Sequence, residues 1–127
     1  HSNQLGMADK LWKDVSEGLG AFLDDLREHD VSENVAVMMF TEFGRRTRDN
    51  GSGTDHGAAG AAFMFGDCIK GGQYSEFPSL EEKHLDQGDA IPSYDYRGLY
   101  SSILEDWMAL DAKPIVGGTY EKLPIFS

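Results

Sequence analysis

Two short, uninterrupted apolar runs limit what this chain can fold into more than any other feature. Val35-Ala36-Val37-Met38-Met39-Phe40 and Ala61-Ala62-Phe63-Met64-Phe65 have strand length, and neither alternates apolar with polar residues. A strand written that way is buried on both faces, which suits the middle of an α/β sheet with helices on either side. Two such strands cannot cover their own edges, because sheets usually hold about four to six. The expectation is a single, incomplete α/β domain over residues 1–127, with further strands supplied by sequence outside it or by another chain. The abrupt start at His1, without an initiator methionine, fits the same expectation.

Helical patterns bracket the two runs. Leu11, Trp12, Val15, Leu19, Phe22, Leu23 and Leu26 recur at helical spacing, while Lys13, Asp14, Glu17, Asp24, Asp25 and Glu28 fill the other face. This predicts an amphipathic helix from about Leu5 to His29. A second helix is predicted from about Tyr96 to Leu110, capped by Asp95 and striped with Leu99, Tyr100, Ile103, Leu104, Trp107 and Met108. Between the apolar runs, Thr41 to Gly60 is polar and glycine-rich and reads as a long loop, the kind of segment that often carries function. Ile69 to Tyr74 reads as a short strand broken by Gly71-Gly72, and Ser75 to Tyr94 as an acidic surface connection.

Composition narrows the partners. The chain carries 22 acidic against 11 basic residues, a formal charge of -11. That excess repels phosphate backbones and anionic lipid surfaces, so neither nucleic acid nor membrane is an expected partner. No stretch approaches the roughly 20 apolar residues that cross a bilayer. Cys68 is the single cysteine, which excludes an intrachain disulfide and a cysteine-based zinc cage. It reads as a small packing residue.

Chemistry concentrates in the glycine-rich segment. Asp55-His56, with Glu42 at the exit of the first apolar run, combines carboxylate and imidazole, a donor set that suits a divalent metal such as zinc, manganese or iron. Taken in isolation, the same Asp-His pair reads more simply as hydrogen bonding inside a surface loop, and Glu42 as an ion-pair partner of Arg45 or Arg46. Arg45, Arg46 and Arg48 fall within four positions of a chain poor in basic residues. Their guanidinium groups either clamp the oxygens of a phosphate or sulfate or form an exposed basic turn.

At these residues the chain resembles a known family. Val37-Met38-Met39-Phe40-Thr41-Glu42-Phe43-Gly44-Arg45-Arg46 and Asn50-Gly51-Ser52-Gly53-Thr54-Asp55-His56-Gly57-Ala58-Ala59-Gly60 are similar to the bacterial domain-of-unknown-function family numbered 1501. Lys70-Gly71-Gly72-Gln73-Tyr74, Asp95-Tyr96-Arg97, Ile103-Leu104-Glu105-Asp106-Trp107 and Val116-Gly117-Gly118 follow in the right order. The family resembles sulfatases and the alkaline-phosphatase-like superfamily. The resemblance implies the C-terminal part of an α/β/α sandwich with a mostly parallel sheet.

It further implies a function: metal-dependent hydrolysis of a small anionic phosphate or sulfate ester by the intact parent protein, with residues 1–127 inactive alone. Members tend to carry a Trp-Asp-Thr-His segment with a glutamine nearby, and His1 with Gln4 resembles its end. The nucleophile and further carboxylate ligands belong to the earlier half of such proteins, which becomes an implied partner. The superfamily's Asp-His-Gly matches either Asp55-His56-Gly57 or, in the order of the strands, Thr41-Glu42-Phe43-Gly44, where Phe43 stands in a histidine's place. The second register is preferred, and both keep His56 as a ligand.

The resulting expectation is that His1, Glu42 and His56 bind metal, that Asp55 is a further ligand or orients His56, and that Arg45 or Arg46 stabilises transition-state charge. The resemblance also implies an exported or periplasmic setting. The alternative expectation is a non-catalytic exported domain that uses the fold for binding, and the open sheet edge is a possible route to self-association.

Overall fold

The computed structural model describes residues 1–126. It is a mixed α/β arrangement of three helices and four short strands: α1 (Gln4–Glu28), β1 (Val37–Met39), β2 (Gly44–Asp49), β3 (Thr54–Gly57), β4 (Phe63–Phe65), α2 (Tyr96–Ser102) and α3 (Lys113–Val116). The helix predicted near the N-terminus forms within one residue of its expected ends. The two apolar runs supply β1 and β4, each trimmed to three residues.

The pairing is antiparallel in both two-stranded sheets, β1 with β4 and β2 with β3. In the first, Val37 lies opposite Phe65 and Met39 opposite Phe63. This differs from the expected, mostly parallel sheet, and the connection explains why. Parallel strands need a crossover, usually helical, that carries the chain back to its starting end. Residues 40–62 hold no helix but a hairpin, so the chain re-enters from the end it left and β4 runs opposite to β1.

Period-two alternation sends successive β1 side chains to opposite faces. Met39 lines a groove of about 520 Å³ with Trp12, Val15, Leu19 and Leu23 of α1, while Met38 lines a groove of about 720 Å³ with Leu99 and Tyr100 of α2. Each face of the sheet therefore borders a groove with a helix along its far wall, and the strands are at best half-buried, not buried on both faces as the apolar runs predict. Coverage is thin. Strands of three residues span about 10 Å, whereas the 25 residues of α1 span about 37 Å. Leu11, Trp12 and Phe22 remain 52%, 54% and 44% exposed, and the fully buried apolar residues among those described are Ala90, Ala112 and Ile125. The accessible surface is 8945 Å², against about 6,700 Å² for a compact monomer of this mass.

Tighter packing occurs where α2 meets the C-terminal segment. Asp95 caps α2 as expected, its side chain accepting from the Arg97 backbone N–H at 2.9 Å. Hydrogen bonds from the Arg97 guanidinium and backbone hold the Asp95 carboxyl down at about 2. The helix predicted to Leu110 stops being α-helical at Ser102 and continues as one π turn, Ile103–Trp107. Ser101 and Ser102 donate their hydroxyls to the Arg97 and Gly98 carbonyls, and Ser102 Oγ also accepts from the Leu123 N–H. Hydroxyls that compete for i−4 carbonyls loosen the regular ladder.

Ile69 makes a single bridge to Phe126 rather than a strand. Cys68 packs against the Val35 carbonyl as a part-buried free thiol, and burial pushes its pKa up.

Two glycines sit where no side chain fits. A Cβ on Gly98 would lie 2.0 Å from the Glu121 carbonyl oxygen, and one on Gly44 would lie 1.6 Å from that of Ala59. Both obstacles are backbone, so they yield only by moving a segment. Gly98→Ala and Gly44→Ala are each expected to lower stability by about 1–3 kcal/mol in urea unfolding followed by circular dichroism. Unchanged midpoints for both would contradict the close approach.

Candidate functional site

The polar segment between the apolar strands is not a loop but the β2–β3 hairpin, in which Gly44 pairs with Gly57, Arg45 with His56 and Asp49 with Thr54. The four residues that connect the pair are organised by one side chain. The Asn50 carbonyl oxygen accepts from the backbone N–H groups of Ser52 (3.1 Å) and Gly53 (2.9 Å), and Asn50 N–H donates to the Gly53 carbonyl at 2.8 Å. Gly51 follows at φ 96°, the left-handed region where glycine has no Cβ penalty.

The start of α1 is stitched to this hairpin. Gln4 N–H donates to the Ser52 carbonyl (3.0 Å), Asn3 N–H to Ser52 Oγ (2.7 Å), and Thr54 Oγ1 to Gln4 Oε1 (2.9 Å). These bonds bring His1 across 54 positions of sequence to Asp55, with His1 Nδ1 3.2 Å from Asp55 Oδ1. The His1 ring also lies against His56, centroids 4.3 Å apart, and Phe43 stacks on the other ring at 3.5 Å. His1, Asp55, His56 and Phe43 thus share one corner, half-open to solvent. A carboxylate only accepts hydrogen bonds, so the His1 nitrogen facing Asp55 is the one that carries the proton, and Nε2 is the nitrogen with a lone pair whenever the ring is neutral.

The predicted site residues divide accordingly. His1, Asp55 and His56 come together, but Asp55 lies on His1 rather than on the expected His56. Glu42 lines the larger groove beside Phe43 and makes no ion pair among the described residues, so the alternative pairing with Arg45 or Arg46 does not form. Of the three arginines, Arg45 alone stays near the corner, opposite His56 in the ladder and 5.4 Å from the Phe43 centroid.

Arg46 donates to the Gln87 carbonyl at 2.8 Å and faces Asp89 at 3.7 Å, and Arg48 pairs with Glu82. Those two arginines tie the hairpin to the acidic 82–89 segment through its own carboxylates and the Gln87 carbonyl. Asn50 is the residue that sequence reasoning missed. Its signal was the Asn50-Gly51 dipeptide, a strong hairpin mark, hidden because its flanks are charged rather than alternating.

For a divalent metal, the corner fits in kind and falls short in number. Two imidazoles stand side by side, one with a carboxylate on its Nδ1, and a carboxylate on one ring nitrogen is what fixes the tautomer of a metal-binding histidine. Among the described residues, however, no group of three or more His, Cys, Asp or Glu is placed to hold an ion. No helix among them is long and apolar enough to cross a membrane.

A mixed α/β unit carrying a histidine–carboxylate corner on a hairpin is what the geometry defines. The chain belongs to the family described as protein of unknown function (DUF1501), whose model matches residues 1–114. Comparison with curated proteins and with solved structures returns no match.

The division among the arginines is testable by hydrogen exchange. Arg46→Ala is expected to raise amide exchange across residues 86–89 severalfold, since it frees the Gln87 carbonyl and unpairs Asp89, while Arg45→Ala leaves that segment unchanged. Equal effects from the two variants would contradict the assignment.

Proposed function

We propose that this region supplies the paired-histidine part of a metal-dependent hydrolase site for phosphate or sulfate esters, completed in the whole protein by residues from an earlier half. The observation that carries the reading is the His1–His56 contact at 4.3 Å with Asp55 on His1 Nδ1. His1 and His56 would hold the ion, and Asp55 would orient His1. A bound divalent ion polarises ester oxygens and lowers the pKa of a nucleophile or water. Arg45, exposed and next to His56, is the group positioned to meet anionic oxygens. Both guanidinium groups donate to a carbonyl, Arg45 to Thr54 and Arg46 to Gln87, but Arg46 also faces the Asp89 carboxylate, which favours Arg45 of the two. Glu42 borders the adjacent groove together with Phe43 and is the candidate to face a second ion or a substrate group.

The thin core supports the same reading. About 2,200 Å² of surface beyond that of a compact monomer, together with unsaturated outer edges on β1 and β4, fits a fold completed by additional strands. Completed in that way, residues 1–127 would form the C-terminal part of an alkaline-phosphatase-like sandwich in the whole protein. Self-association through those edges is the competing way to cover them.

A non-catalytic binding role is favoured by one feature, Phe43 stacked on His56 where the superfamily register places a histidine. Calorimetric titration of residues 1–127 with zinc separates the two readings. The metal reading predicts a single weak site, lost in His56→Ala, and no turnover of nitrophenyl phosphate or nitrophenyl sulfate. Zinc binding that persists in His56→Ala, or robust turnover by this chain alone, contradicts it.

A further inference from the structure

The structure assigns Asn50 as the positioning residue that sets the orientation of the histidine corner, an assignment that rests on the His1–His56 reading above. Its side-chain amide is used on every side. The oxygen accepts from Ser52 and Gly53 N–H, which fixes the hairpin turn. The nitrogen donates to Asp55 Oδ1 at 2.9 Å and to the His1 backbone carbonyl at 3.0 Å. Asp55 Oδ1 is the same oxygen that meets His1 Nδ1. One rigid amide therefore holds both members of the Asp55–His1 pair, and it is held in turn by backbone.

The arrangement matters because Asp55 and His1 are half-exposed, with side chains 59% and 55% accessible. An exposed pair of this kind contributes little by itself and does not hold two side chains in one geometry. Asn50 supplies the constraint that solvent would otherwise remove. It donates to the carboxylate from one side, so that the Oδ1 lone pair facing His1 is the one left free. It also pins the His1 backbone, so the imidazole approaches from a fixed direction. The consequence is a His1 ring locked with its proton on Nδ1 and its Nε2 lone pair directed away from Asp55. Partners that orient a ligating histidine typically change metal affinity by about 10–100-fold when removed.

Asn50→Asp separates this role from turn formation. An aspartate keeps the acceptor for the Ser52 and Gly53 N–H groups but cannot donate to Asp55 or to the His1 carbonyl. In the variant, nitrogen-15 shifts of the neutral His1 ring are expected to show loss of the Nδ1–H form as the dominant tautomer. Zinc affinity is expected to fall about 10-fold, and the amide shifts of Gly51, Ser52 and Gly53 should stay near those of the parent chain.

A retained Nδ1–H tautomer with an intact hairpin would overturn the assignment. Should the variant disorder the hairpin, the parent chain decides the matter. Nuclear Overhauser contacts from the Asn50 side-chain amide to His1 support the role, and their absence overturns it. The tautomer measurement needs no metal, so a chain that binds no zinc defeats the site reading without touching the Asn50 assignment. Unchanged zinc affinity in a variant with a parent-like tautomer defeats Asn50 alone.

Discussion

A 25-residue amphipathic helix lies over strands of three residues each, and most of what is distinctive in this chain follows from that mismatch. Burial of apolar surface contributes roughly 25 cal/mol per Å², so a helix whose apolar stripe stays half exposed gains little from packing on β1 and β4. The helix is instead secured at its two ends. Near its C-terminus, Arg27 makes a forked ion pair with Asp67, which raises the Arg27 pKa and lowers that of Asp67. At its N-terminus, the backbone and side chains of residues 1–4 are bonded into the β2–β3 hairpin. Directional polar contacts do at the ends what a continuous core does elsewhere.

The N-terminal attachment also builds the site. Residues separated by more than fifty positions meet because the hairpin turn offers the Ser52 carbonyl, the Ser52 hydroxyl and the Asn50 amide to the first residues of the chain. The hairpin therefore has two polar surfaces with different work. One carries Asp55, His56 and Arg45 against His1 and Phe43. The other uses Arg46 and Arg48 to hold the 82–89 segment. Three arginines that look like one basic cluster in the sequence are separated by the strand geometry: Arg45 bonds the Thr54 carbonyl within its own hairpin and meets no carboxylate among the described residues, whereas Arg46 and Arg48 anchor the 82–89 segment.

Elements that announce themselves through hydrophobic period were legible in the sequence. The long helix, both apolar strands and the Asp95 cap were all readable from residue pattern. The direction of strand pairing was not, because an apolar run reads the same in either orientation, and only the hairpin between β1 and β4 decides it. The hairpin itself was hidden by its composition. Gly44-Arg45-Arg46-Thr47-Arg48-Asp49 has no apolar alternation, and its strands are held by backbone pairing and by arginine contacts that no local pattern reveals. The break in the second helix was unreadable for a similar reason, since it depends on Ser102 meeting Leu123. The neighbour of Asp55 was not legible: it was expected beside the adjacent His56, and the contact it makes is to His1, 54 positions away.

The central claim is that His1 and His56 form one ligand pair, with His1 presenting Nε2 because Asp55 occupies Nδ1. Heteronuclear correlation between cadmium-113, substituted for zinc, and the imidazole protons tests it most directly. The account predicts scalar coupling of a single cadmium signal to the ring protons of both His1 and His56, in the pattern of Nε2 ligation for His1. Coupling to His1 alone, or a His1 pattern that shows Nδ1 ligation, would contradict it.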